Sequence, residues 1–183
     1  MKKNQVIRNN ATGETLTMLV SDEDNGGAWQ LYEVFLPPRR PSPPPHYHVD
    51  FIETFTVKQG KLDIYLSKNE THLVLQPGES TTAHIRQPHR FANDRDEPVI
   101  FTINTEPAGG VVKAFQLAYG IANDGGAAKD GLPSNPIARL VFAKTTQGYL
   151  PGMPLVLQRI AFAAAALMAR IVGWDKRWRG YFT

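Results

Sequence analysis

His46-Tyr47-His48-Val49-Asp50-Phe51-Ile52-Glu53 decides the reading of this chain. His46 and His48 stand two apart, and side chains on an extended strand alternate faces, so both imidazoles point the same way as a chelating pair. Glu53 follows at an odd offset, which one straight strand would send to the opposite face. A bend is therefore required, and Val49-Asp50 can supply it. Beyond the bend Phe51, Glu53, Phe55 and Val57 share one face, and Ile52, Thr54 and Thr56 share the other. The first face is apolar except for Glu53. Burying an ionised carboxylate there is costly unless a cation neutralises it, so the pattern points to a bound metal. Further along, a third imidazole, His89, lies between Gly78 and Asn93. Three imidazoles and one carboxylate make a complete ligand set for a divalent transition metal.

Working outward, the spacing His-x-His, four residues, Glu, six residues, Gly runs through His46, His48, Glu53 and Gly60 without a gap. The spacing Gly, five residues, Pro-x-Gly, two residues, His, three residues, Asn falls on Gly78, His89 and Asn93. In these two motifs the chain resembles the cupin superfamily. Two positions depart, with His84 where the motif has proline and Arg86 where it has glycine, so the turn before His89 must be built differently. The resemblance implies an all-β core of jelly-roll (double-stranded β-helix) type and a metal held by His46, His48, Glu53 and His89. Fe, Mn, Ni, Co, Cu and Zn all suit that donor set. Cupins with these ligands include dioxygenases acting on diols and flavonols, isomerases and decarboxylases. The expected activity is that of a dioxygenase-like oxidoreductase acting on an oxygen-bearing small molecule. The alternative is a non-catalytic binding or sensory module, and a third reading has the metal merely bracing the barrel. Glu53 is also a candidate base. His84 is the candidate for proton transfer, and Arg86 the candidate for holding an anionic substrate group.

The remaining strands are marked by turn signals. Thr15 to Val20 and Trp29 to Leu36 flank Asp24-Asn25-Gly26-Gly27, which reads as a hairpin turn. Further strands are expected at Phe51 to Val57, Leu62 to Leu66, Thr71 to Leu75, Thr81 to Ile85, Phe91 to Asn93 and Val99 to Thr105. Turns are expected at Lys58 to Lys61, Ser67 to Glu70, Gln76 to Glu79 and Asp94 to Pro98. Leu62, Ile64, Leu66, Leu73, Leu75, Phe101 and Ile103 alternate with polar positions and are candidate core residues. His72 falls out of step with Leu73 and Leu75 and reads as solvated, without a role. The six prolines between Pro37 and Pro45 make a stiff, extended approach to the first ligand.

The pattern divides at about residue 108, with the barrel before it and a helical extension over 109–183, packing on the barrel or on a dimer partner. Helices are expected at Val111 to Ala122, Pro136 to Lys144 and Leu155 to Trp174. Arg159 and Arg170 interrupt the last of these, which disfavours a membrane span. At about 100° per residue, Arg159, Ala163, Ala166 and Arg170 form one stripe, opposite Leu157, Ala161, Ala164, Met168 and Ile171. The alanine-rich apolar face is expected to pack against the barrel or a second subunit, making a homodimer. Contact with an anionic membrane surface is the less favoured alternative, supported by the basic and Trp residues of Trp174 to Arg179. At 183 residues the chain suits one core with an appendage. It contains no cysteine, which excludes disulfides and thiolate ligands. Met1 to Val6 has no apolar run of the secretory type, so a cytoplasmic location is expected. The formal net charge of +3 is concentrated in the C-terminal tail and gives no distributed basic face for nucleic acid.

Overall fold

The computed structural model describes residues 1–40, 43–66 and 71–182. Among the described residues, nine strands form two antiparallel sheets that share one core. The larger sheet runs β1-β2-β3-β9-β4-β7 and the smaller β6-β5-β8. These strands are β1 (Val6–Arg8), β2 (Thr15–Val20), β3 (Gln30–Leu36), β4 (Ile52–Gln59), β5 (Leu62–Leu66), β6 (Thr71–Leu75), β7 (Ser80–Ala83), β8 (His89–Ala92) and β9 (Val99–Glu106). This is the jelly-roll arrangement expected from the motifs.

The alternation read from sequence decides which side chains fill the core. Along β4, Glu53, Phe55 and Val57 are buried, and the intervening Ile52, Thr54 and Thr56 are half-buried. Phe55, Phe91 and Phe101 meet across the two sheets, with ring centroids 6.1 and 5.4 Å apart. Phe55 and Phe101 are fully buried and each contributes roughly 1.5–3 kcal/mol, with Phe91 partly buried between them. Leu62, Ile64, Leu66, Leu75, Phe101 and Ile103 are buried as expected, and Leu73 packs partly buried against them.

Several boundaries differ from the sequence reading. Strand β1 was not anticipated. The turn at 24–27 is a 3-10 turn over Asp22–Asn25, capped by the Ser21 hydroxyl, with Gly26 and Gly27 at positive φ. Strand β7 stops at Ala83, so His84 and Ile85 lie beyond it, and β8 begins at His89 itself. The expected turn at Ser67 to Glu70, and Pro41 and Ser42 of the proline segment, lie outside the described residues. His72 is more engaged than expected, bonding Asp63 at 2.7 Å and stacking on Tyr65.

Two motif residues have structural reasons to be what they are. Gly60 sits at φ 78°, and a Cβ there would lie 2.6 Å from the Pro98 carbonyl oxygen, so only glycine fits. Asn93 is fully buried and donates to the carbonyls of Pro37 and Glu97 at 2.9 and 2.8 Å, tying the proline segment to the barrel.

The extension folds back as α1 (Val111–Ile121), α2 (Pro136–Thr146), α3 (Leu155–Ile171) and the short α4 (Trp174–Trp178). Asn135 caps α2 through bonds from the Ile137 and Ala138 amides, with Pro136 in its first turn. Val111, Val112, Ala118 and Tyr119 of α1 join the barrel core itself. The single long helix expected from 155 to 174 instead ends at Ile171, because Gly173 turns left-handed at φ 76°. On α3 the buried residues are Gln158, Phe162, Ala165 and Ala169. They lie on a different side from the alanine-rich face expected to pack on the barrel or on a second subunit, so that face does not meet the barrel. Leu157, Ala164, Met168 and Ile171 of that expected face are exposed.

Candidate metal centre

His46 and His48 lie on the extended segment that approaches β4. His46 pairs with His89 across a two-way backbone bridge, His46 N–H to His89 O at 3.0 Å and the reverse at 2.8 Å. Ligands that are distant in sequence are thus fixed opposite one another. Glu53 projects from β4 into the same space. One ligand atom from each of His46, His48, Glu53 and His89 lies within 4.8 Å of all the others. All four residues expected as ligands therefore converge. His48, Glu53 and His89 are buried, and His46 keeps partial solvent contact.

The surrounding hydrogen bonds determine which ring nitrogens are free. Nδ1 of His46 faces the Pro44 carbonyl at 3.0 Å, that of His48 the Gln147 carbonyl at 3.1 Å, and that of His89 the Gln87 carbonyl at 3.0 Å. A carbonyl oxygen only accepts, so each Nδ1 carries the proton and each neutral ring turns an Nε2 lone pair inward. Phe51 stacks on His48 at 4.2 Å and holds its plane. Carbonyl partners of this kind orient imidazole ligands in metal sites.

Three lone pairs and a carboxylate cannot satisfy one another. His89 Nε2 lies 2.8 Å from Glu53 Oε2, and two acceptors that close need a positive charge between them. His48 Nε2 lies 3.3 Å from the same oxygen and is a buried nitrogen with no hydrogen-bond partner among the described residues. A proton on His89 would settle one contact and leave the others unmet. A divalent cation settles all four, so the donor set fits a metal.

The electrostatics keep His46 and Glu53 in the form that binds a cation. Burial, then neighbouring His89 and His48, lower the His46 pKa to about 3, so this ring is neutral. Burial alone would raise Glu53, but neighbouring His48 and the hydrogen-bonded His89 outweigh it and hold its carboxyl well below 4.5. Burial works against a proton on His89, yet its bond to Glu53 and that charge raise its pKa from 6.5. This is the opposite pull of a coupled pair.

The site opens on a cavity of about 390 Å³ between the large sheet and the helices. His46, His48 and Glu53 line it with a mostly apolar wall that includes Tyr32, Phe91, Ile103, Phe115, Phe142 and Phe162. Its volume is that of a small-molecule site. Arg40 also lines it, but its guanidinium is held by Glu14 at 2.9 Å and the Asp130 carbonyl at 2.6 Å.

His84 and Arg86, expected as proton mover and anion anchor, are exposed on the turn before His89 and are not part of the cavity lining. Arg86 adopts φ 62°, the left-handed conformation that favours glycine, and its N–H donates to the His48 carbonyl at 2.7 Å. The turn therefore keeps a glycine-type backbone while its side chain points to solvent.

Sequence reading missed two contributors. Gln147, at φ 50° on the C-terminal cap of α2, supplies the carbonyl that orients His48. Tyr32 is fully buried in the cavity wall, and its hydroxyl has no hydrogen-bond partner among the described residues. Burial, then Glu53 and Tyr119, push that phenol well above 10, so it is a neutral donor.

A jelly roll that gathers three imidazoles and one carboxylate around a buried point defines a metal-binding β-domain. Residues 32–104 match the family model described as Cupin domain, in agreement with the resemblance carried by the two motifs. A search of curated proteins returns no match. Among solved structures, the chain is similar to the polyketide cyclase RemF from Streptomyces resistomycificus, at 22% identity and TM-score 0.45, covering 51% of this chain and 64% of that one. It is also similar to a predicted oxalate decarboxylase from Thermotoga maritima, at 16% identity and TM-score 0.48, covering 57% and 92%. A third is the Cupin_2 domain of an XRE family transcriptional regulator from Enterobacter cloacae, at 19% identity and TM-score 0.43, covering 51% and 95%.

Proposed function

We propose that this metal-dependent cupin is an enzyme acting on an oxygen-bearing small molecule with a largely apolar body, and that its reaction is an oxidation of dioxygenase type. One observation carries the reading. Three inward Nε2 lone pairs and an ionised carboxylate, within 4.8 Å of one another, border an apolar cavity of about 390 Å³. A bound divalent cation supplies Lewis acidity toward a substrate oxygen and, if redox-active, an electron path. The chain supplies the rest. Its three carbonyl partners fix the imidazole planes, the aromatic wall excludes water, Tyr32 donates its hydroxyl to a substrate oxygen, and Glu53 is the base.

A second reading, a barrel that holds the same kind of ligand without turnover, draws support from the exposure of His84 and Arg86. That placement leaves few polar groups facing a substrate. Untagged protein loaded with each candidate metal, with oxygen uptake followed on catechol, flavonol and β-diketone substrates, separates the two. Uptake that disappears in His48→Ala supports the enzyme. Tight ligand binding without turnover supports the module, and failure to retain any metal refutes the enzyme reading.

A further inference from the structure

The outward side of α3 is as apolar as its buried side. Val156, Leu157, Ile160, Leu167, Met168 and Ile171 are each between 47 and 71% exposed, and they form one continuous stripe opposite buried Phe162 and Ala169. Surface patches of this kind mark interaction sites. The stripe is also continuous with the cavity. Leu150, Met153 and Leu157 line the cavity and are themselves 43 to 58% exposed, so they form an apolar rim on the same side of the molecule.

Charge selects the occupant. Helix α3 carries Arg159 and Arg170 on one flank and no acidic residue. From 155 to 182 there are five basic side chains against one carboxylate, Asp175, which is paired to Arg179. A twofold contact through this stripe would set the arginine flank against itself without a compensating acid. An anionic lipid surface complements it instead. Seventeen residues of helix reach roughly 25 Å, short of the hydrocarbon thickness, and the 89° bend into the following helix prevents a straight span. The helix is built to lie in an interface.

We propose that the outer face of α3 docks on an anionic bilayer and that the cavity rim formed by Leu150, Met153 and Leu157 opens at that contact. The cavity then exchanges a lipophilic occupant with the membrane. Docking is independent of turnover at the metal centre and is tested without it.

Vesicles of phosphatidylglycerol and phosphatidylcholine, against phosphatidylcholine alone, are floated with the full chain. Binding is expected on the anionic vesicles, to weaken about thirtyfold in Arg159→Gln with Arg170→Gln, and to vanish in Ile160→Glu with Leu167→Glu. The chain has no cysteine, so Leu157→Cys gives a unique site for an environment-sensitive fluorophore. Its emission should shift to the blue on anionic vesicles, whereas a label at Val74→Cys, on an edge strand of the small sheet, should not shift. Equal binding to both vesicle types overturns the proposal. So does an absence of binding, including the case in which sedimentation shows a dimer that Ile160→Glu dissociates.

Discussion

Tyr32→Phe should make the protein more stable and less active. The phenolic oxygen is fully buried and has no hydrogen-bond partner among the described residues, so its lost hydration costs the folded state about 1–3 kcal/mol. Replacing O–H by H leaves an oxygen-sized void of about 15 Å³, worth less than about 0.5 kcal/mol at roughly 24 cal/mol per Å³. The net gain is about 1 kcal/mol, which for a chain of this size raises Tm by about 2–4 °C. Such a hydroxyl is kept at a cost to stability only if something in the cavity uses it. Loss of a donor to a charged or polarised oxygen lowers kcat/KM by about ten- to a hundredfold. Calorimetry and steady-state kinetics on the same preparation measure both quantities. A variant that melts below wild type and turns over normally would refute the reasoning, because the hydroxyl would then be a satisfied core group.

Three further outcomes follow from the backbone and the titrating groups. Unfolded His46 takes up a proton near 6.5 whereas the folded ring resists until about 3, so its contribution favours the unfolded chain increasingly as pH falls through that window. In the presence of chelator, urea midpoints between pH 7 and 4 should therefore fall less steeply for His46→Gln than for wild type; parallel slopes would contradict the assignment. Arg86→Gly relieves a left-handed backbone at φ 62° and should stabilise by about 0.5 kcal/mol in urea titration without changing metal content. Gly60→Ala should cost more than about 2 kcal/mol, read as a lower urea midpoint, because the new Cβ lies 2.6 Å from the Pro98 carbonyl oxygen at φ 78°.

The four candidate ligands were legible because local spacing positions three of them. The His-x-His pair needs only strand alternation, and Glu53 declares itself as an acid on an otherwise apolar face. His89 is placed by long-range pairing with His46, which the motif conveys and periodicity does not. Gln147 could not be read, since a backbone carbonyl leaves no mark in side-chain identity and the contact spans 99 residues. Tyr32 looked like any aromatic on a strand, and only its missing partner sets it apart. Helix α3 is apolar on both sides, so a 100° count finds the arginine flank but cannot tell which aliphatic side is buried. Gly173 was a readable stop signal, and it ends that helix early.

The central claim is that His46, His48, Glu53 and His89 hold a cation. Mass spectrometry of the untagged protein at neutral pH measures this directly. About one divalent ion per chain, lost in His48→Ala while the fold persists, is the expected result. A folded wild-type chain that retains no ion when offered Fe, Mn, Ni, Co, Cu or Zn would contradict the account.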